Sequence, residues 1–183
     1  MQRIPALSTA AAPTASQPLL KAVHEKLGMV PNLLKTFAHS PAVLQYYLAG
    51  SEALGAGALP ASLREQIALV TAGENECDYC ASAHTLMGKG AGLGAAEMAG
   101  NLRGRSDNAR TQAALDFAAA IVRERGRVSD AQLKAVRAAG YGEGEVVEIV
   151  ANVVANIFTN YFNHIAGTVI DFPVVKAAAV AHA

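Results

Sequence analysis

The sequence predicts an all-α protein, on three observations. No segment alternates apolar and polar residues in the manner of a half-buried strand. Proline and glycine recur where helices open and close. Hydrophobic residues make up 52% of the 183 positions and aromatics only 5%, so the apolar content is carried by small residues that favour close helix packing. The length is that of one domain able to bury a full core.

Residues 1–18 read as an irregular arm, because P-A-L-S-T-A-A-A-P-T-A-S-Q-P is small, polar and broken by proline. Such an arm is placed to wrap a neighbouring subunit. Residues 19–183 read as a single helical domain. Pro31 and Pro41 suit first-turn positions and Gly28 and Gly57 suit stops, which predicts helices near 18–27, 31–38 and 41–55. Pro60 opens the next, near 60–72, with Gly73 as its end. A short G-E-N-E connection leads to a helix near 77–90, closed by Gly88, Gly90 and Gly92. A short helix near 94–101 precedes a long one from Asp107 to about Arg125, with Ala114, Phe117, Ala118 and Ile121 along one face. The charges of R-E-R-G-R at its end read as solvated. Ser129 and Gln132 form a capping box for a helix that stops before Gly140, and a last, mostly apolar helix covers 143–163.

The 15 Lys and Arg balance 15 Asp and Glu, which leaves no net charge to hold a nucleic acid or an anionic membrane. No apolar run approaches the roughly 20 residues of a membrane span, and the N-terminus has no basic region followed by an apolar stretch. The expectation is a cytoplasmic protein without nucleic-acid or membrane partners. The Ala-rich surface favours a homo-oligomer.

Chemistry concentrates in E-C-D-Y-C-A-S-A-H, which holds the only two cysteines, Cys77 and Cys80, and His84. On a helix these three share one face over successive turns. A c-type haem needs His directly after the second cysteine, where this chain has Ala81. A structural zinc site wants a second ligand pair, and only an improvised site with an outside carboxylate remains. A thioredoxin motif follows a strand, whereas L-R-E-Q-I-A-L-V-T-A-G has helical spacing. What survives is a redox dithiol on a helical scaffold that is not thioredoxin.

Glu65 lies on a mostly apolar stripe with Ala61, Ser62, Ala68 and Leu69 at its helical neighbours, so it has no intrahelical basic partner. The connection between the two helices centres near Asn75, about equally far from Glu65 and His84. If the helices fold back on each other, carboxylate and imidazole reach the same height. A carboxylate that orients a histidine next to a thiol is the relay of Cys–His chemistry.

E-Q-I-A-L-V-T-A-G-E-N-E-C-D-Y-C-A-S-A-H resembles the signature of the alkylhydroperoxidase D and carboxymuconolactone decarboxylase family, in its peroxidase-related branch. Glu65, Cys77, Cys80 and His84 match its Glu, Cys-x-x-Cys and His positions, strongly over residues 60–100 and more loosely in V-P-N-L-L-K-T-F-A-H-S-P and the last helix. The resemblance implies a helical, cofactor-free fold, assembled as trimers or hexamers. It would reduce a hydroperoxide substrate at the expense of an external dithiol reductant, thioredoxin-like or lipoyl-type. It also implies that Cys80 attacks peroxide, Cys77 resolves the product as a disulfide, and His84 with Glu65 relays the proton. Tyr79 departs from the histidine that redox members often carry there. Two rivals stand beside this reading: a decarboxylase on the same scaffold, which has no need of a dithiol, and a redox-sensing module without turnover.

Cys77 is nearer the helix N-terminus, which favours a thiolate, while Cys80 has His84 one turn away. Proton acceptance by His84 favours Cys80 as nucleophile. Asn152, Asn156 and Asn160, with Asn163 and His164 just beyond, form a seam that could line a pocket and more often fixes helix register. Tyr46 and Tyr47 read as packing residues, and His24 and His39 as solvent-facing.

Overall fold

Most helices in this chain begin where a side chain or a proline deals with the free N–H groups of the first turn, those that open at Asp78 and Ala95 being the exceptions. In the computed structural model, which describes residues 2–177, these signals mark off α1 (Gln17–Leu27), α2 (Asn32–Phe37), α3 (Pro41–Gly55), α4 (Ala61–Glu74), α5 (Asp78–Gly90), α6 (Ala95–Asn101), α7 (Ala109–Arg123), α8 (Asp130–Ala138) and α9 (Glu143–Ala166). Ser40 and Asn108 accept from Val43 and Thr111 N–H to cap α3 and α7, and Ser129 with Gln132 closes the expected capping box on α8. Pro41 is the first residue of α3, whereas Pro31 and Pro60 stand one place before α2 and α4. Gly28 ends α1 at φ +73, a left-handed conformation that suits glycine. The described residues contain no β-strand, and the fold is all-α.

α4 is the central element. Gln66 through Gly73 are buried without interruption, which is why this helix shows no clean apolar stripe: it is covered all round. Leu69 and Ala72 join one core, with Leu20, Leu34, Phe37 and Leu44, that runs on to Cys77, Tyr79 and Cys80. Leu63, Ile67 and Val70 join another with Leu115, Phe117, Val136, Ile149 and Val153.

Several expected helix ends lie elsewhere. Gly73 does not stop α4, which continues to Glu74. Its missing side chain instead admits the Leu102 carbonyl at the end of α6, which a Cβ would strike. Gly88 sits inside α5 beneath Met98 and Leu93. Arg123 is tied to Glu74 through two hydrogen bonds of 2.7 and 2.6 Å, and the Glu74 side chain is 1% exposed. This fork-to-fork pair joins α7 to the end of α4, so Arg123 is more than a solvated helix end. α9 runs past the expected boundary near 163 to Ala166, which takes His164 into the helix.

The N-terminal arm lies on its own chain. Ile4 N–H donates to the Ala166 carbonyl at 3.2 Å and Leu7 N–H to the Lys35 carbonyl at 3.2 Å. His39 Nε2 lies 2.9 Å from the Pro5 carbonyl, so this exposed histidine holds the arm. A short 3₁₀ turn, Thr9–Ala11, leads into α1. After α9 the chain returns across α2 and α5. Val175 N–H donates to Ser82 Oγ at 2.9 Å, and Asp78 accepts from Lys176 Nζ at 2.6 Å and Ala177 N–H at 2.9 Å. No helix among the described residues is long and apolar enough to cross a membrane.

Candidate active site

The α4–α5 connection presents both thiols at one helix start. Cys77 N–H reaches back to the Ala72 carbonyl at 2.9 Å, and Glu76 just before it takes a left-handed φ of +54, an uncommon conformation for a residue with a side chain. Cys77 is the N-cap of α5 and Cys80 lies in its first turn, so the unpaired N–H groups and the positive end of the helix act on both. Exposure does not separate them either, at 1% and 2%. Their neighbours do.

Asn163 Nδ2 donates to Cys80 Sγ at 3.3 Å, and Thr159 Oγ1 lies 3.9 Å from the same sulfur. The Cys77 thiol donates to Cys80, and this bond is the main influence that lowers Cys80, to a pKa of about 6. Burial opposes the shift, while the charge of His84 and the amides of Asn163 and Asn160 reinforce it. Cys77 is pushed up, because a thiol that donates its proton in a buried place resists losing it. The pair is therefore arranged as a Cys80 thiolate beside a Cys77 thiol.

α4 and α5 pack side by side, and this brings Glu65 Oε2 to 2.8 Å from His84 Nδ1. The two side chains are 20% and 17% exposed. With Nδ1–H donated to the carboxylate, Nε2 is the nitrogen left for proton exchange. Burial disfavours the imidazolium, but the charge and hydrogen bond of Glu65, aided by Cys80 and Asn156, outweigh it and raise His84. Tyr47 packs its ring 5.4 Å from Phe37, as a packing residue would. Its phenol also stands in the field of the site, pushed up to about 12 by burial and then by the charges of Cys80 and Glu65.

Tyr79 turns away from this chemistry. Its hydroxyl donates to Asp171 Oδ1 at 3.0 Å and accepts from Leu33 N–H at 3.1 Å, while Asp171 Oδ2 accepts from Asn32 N–H at 2.8 Å. The residue that replaces a histidine anchors the C-terminal segment to α2 and α5. Among the described residues, no three His, Cys, Asp or Glu side chains gather as a metal site would require.

The structure is similar to that of an uncharacterized peroxidase-related protein with an alkylhydroperoxidase AhpD core from Ralstonia eutropha JMP134, at a TM-score of 0.83 and 28% identity over 93% of this chain and 92% of that one. A peroxidase-related protein from Silicibacter sp. TM1040 matches at 0.75 and 27%, over 98% and 97%. The debrominase Bmp8 shares the fold at 0.78 and 22%, over 92% and 91%. No curated protein matches the chain. Residues 41–124 match the model of the carboxymuconolactone decarboxylase family. Over that segment, a little under half of the chain, it is similar to this family, and the peroxidase-related structures support an alkylhydroperoxidase D-like form.

The family match spans Glu65, Cys77, Cys80 and His84 but ends before α9. From α9 come residues that sequence reasoning left without a partner at the site. Asn160 and Asn163 read as a packing seam, and in the structure they stand against Cys80, with Asn156 against His84. The spacing of asparagines through an apolar helix was the available signal. What it lacked was a partner, since only the packing of α9 on α4 and α5 shows which side chain the amides meet.

Proposed function

We propose that the protein is a cysteine-based hydroperoxide reductase, in which a dithiol supplies two electrons and an external dithiol restores them. The observation that supports this best is the Cys80 sulfur held between the Cys77 thiol and the Asn163 amide, one helical turn from an imidazole fixed by Glu65 at 2.8 Å. A sulfur so placed is favoured as the thiolate and has a proton carrier beside it.

In the first step the Cys80 thiolate attacks the distal peroxide oxygen. An S–O bond forms, the O–O bond breaks, and the leaving alkoxide or hydroxide takes a proton from His84. Sulfur is oxidised to sulfenic acid and the peroxide is reduced to an alcohol or water. Cys77 then attacks the Cys80 sulfur, an S–S bond replaces S–O, and water leaves with the Cys77 proton. An external dithiol, thioredoxin-like or lipoyl-type, reduces the disulfide by two exchanges and is itself oxidised. Glu65 keeps His84 oriented throughout and favours the imidazolium that gives up its proton in the first step. A decarboxylase would have no use for the paired thiols, and a sensor would have none for rapid regeneration.

The cysteine variants test these roles. Cys80→Ser abolishes peroxide consumption in a coupled dithiol assay, and Cys77→Ser accumulates a sulfenic acid on Cys80 that mass spectrometry detects after trapping. Accumulation on Cys77 in the Cys80→Ser protein, with turnover retained, reverses the assignment.

We place the protein in the cytoplasm as a homo-oligomer, a trimer or hexamer. Support for assembly comes from α9, where Val147, Val154, Tyr161 and Ile165 are all more than half exposed along one helix. Light scattering is expected to give a multiple of the 18.9 kDa chain mass, and a monomer at micromolar concentration defeats this assignment.

A further inference from the structure

The two residues between the cysteines are both held by one stretch of chain after α9. Asp78 Oδ1 accepts from Ala177 N–H at 2.9 Å and Oδ2 from Lys176 Nζ at 2.6 Å. Tyr79, 5% exposed, donates its hydroxyl to Asp171 Oδ1 at 3.0 Å and sets its ring edge-on to Phe172, with 5.6 Å between centroids. One turn on, Ser82 Oγ accepts from Val175 N–H at 2.9 Å. Leu33 N–H donates to the Tyr79 hydroxyl and Asn32 N–H to Asp171 Oδ2, so the same contacts reach the start of α2.

The first turn of α5 is thus fixed while both cysteines are free thiols. In that state Cys77 donates to Cys80. A disulfide brings two sulfurs to about 2.05 Å, far closer than a hydrogen bond between them. Cys77 and Cys80 stand at the two ends of one turn, so closing the sulfurs draws on the backbone of Asp78 and Tyr79 between them. Contacts set for the open turn oppose that movement.

We propose that residues 171–177 act as a strap on the dithiol turn, with Asp171 and Phe172 as positioning residues that favour the dithiol over the Cys77–Cys80 disulfide. The inference rests on the peroxidase reading, in which this pair cycles between the two states, and adds the part of the chain that sets their balance. As the S–S bond forms, the thiols give up two electrons and two protons. In turnover a hydroperoxide takes them and becomes an alcohol and water. By linkage, the factor by which the strap disfavours the disulfide is the factor by which the disulfide weakens the strap. The strap therefore helps an external dithiol to complete the reduction.

Tyr79→Phe and Phe172→Ala each loosen the strap without altering a charge. Each protein is equilibrated at pH 7 with graded ratios of reduced and oxidised glutathione, which supplies or takes the two electrons, and the disulfide fraction is read by alkylation and mass spectrometry. Both variants should raise the ratio of disulfide to dithiol by about tenfold over the parent, a potential lower by about 30 mV, with the Cys80 alkylation midpoint unchanged. In the unaltered protein, hydrogen exchange in the peptide carrying Val175 and Ala177 should be about tenfold faster in the disulfide form than in the dithiol form. An unchanged equilibrium in either folded variant, a shift towards the dithiol, or a shift matched by the alkylation midpoint overturns the strap while the peroxidase reading stands. Exchange that oxidation leaves unaltered overturns it as well, and this comparison decides should neither variant fold. A folded parent that forms no Cys77–Cys80 disulfide at any glutathione ratio removes the peroxidase reading itself, and the strap with it.

Discussion

The two cores that α4 separates are built from the same kinds of helix and treat polar groups in opposite ways. Around Leu115, Ile149 and Val153 the filling is apolar, and among the described residues no unpaired buried side-chain atom lies on α7 or α8. Around Cys77 and Cys80 the filling includes two thiols, and the α9 asparagines that border it keep unpaired atoms. One helix makes the transition along its length: Val146, Ile149 and Val153 of α9 fill the apolar core, and Asn160 and Asn163 serve the other. Local inconsistency with good packing, confined to one half, is what a site retained at the expense of stability looks like.

The largest test of this contrast sets a core residue against a site residue. Leu115→Ala empties part of the apolar core and should cost about 2–5 kcal/mol in urea denaturation. Asn163→Leu keeps much the same volume and removes an unpaired buried acceptor, so it should lie within about 1 kcal/mol of the parent or above it, while impairing Cys80. If Asn163→Leu costs as much as Leu115→Ala, the asparagines are packing groups and the contrast is lost.

How much of this was legible in the sequence follows the same division. The helices announced themselves, because Pro41, Ser129 with Gln132, and Gly28 act through local backbone chemistry that neighbours in sequence supply. The Glu65–His84 pairing was legible too, since a short connection between two helices leaves few registers. Gly73 and Arg123 were not. A glycine near a helix end reads as a stop, and only the approach of Leu102 from α6 shows that it is a gap. The partners of Asn160 and Asn163 were hidden for the same reason, as they lie about eighty residues away.

Gly73 gives a test of intermediate size at the boundary between the halves. Ala is favoured over Gly in a helix by about 1 kcal/mol, so an unconstrained Gly73→Ala would stabilise α4. The added Cβ meets the backbone carbonyl of Leu102, which cannot rotate aside as a side chain would. Overpacking of that kind costs about 1–3 kcal/mol, and the net expectation is a lower midpoint in urea. A higher midpoint would show that α6 yields easily and that the close approach is incidental.

The smallest expected effect, and the one closest to the chemistry, is that of Glu65→Gln. The carboxylate favours the imidazolium, and the imidazolium in turn favours the Cys80 thiolate. Removing the charge while keeping a hydrogen-bonding side chain lowers His84, so at neutral pH the imidazole is neutral more of the time and its pull on Cys80 weakens. Alkylation of Cys80 followed across pH should show a midpoint near 6 in the parent, displaced upward by about one unit in Glu65→Gln, or roughly 1.4 kcal/mol of lost discrimination between thiol and thiolate. The stability linkage has the same sign. A thiol whose folded pKa is depressed contributes stability that is present above its unfolded value of about 8.5 and is lost as pH falls through about 6. In Glu65→Gln that loss should be complete nearer neutrality, so the thiol's share of the difference from the parent should be greatest above about pH 7 and vanish below about pH 6. An unshifted alkylation midpoint in a folded variant would confine Glu65 to structure and leave the thiolate to Cys77, His84 and the α9 amides.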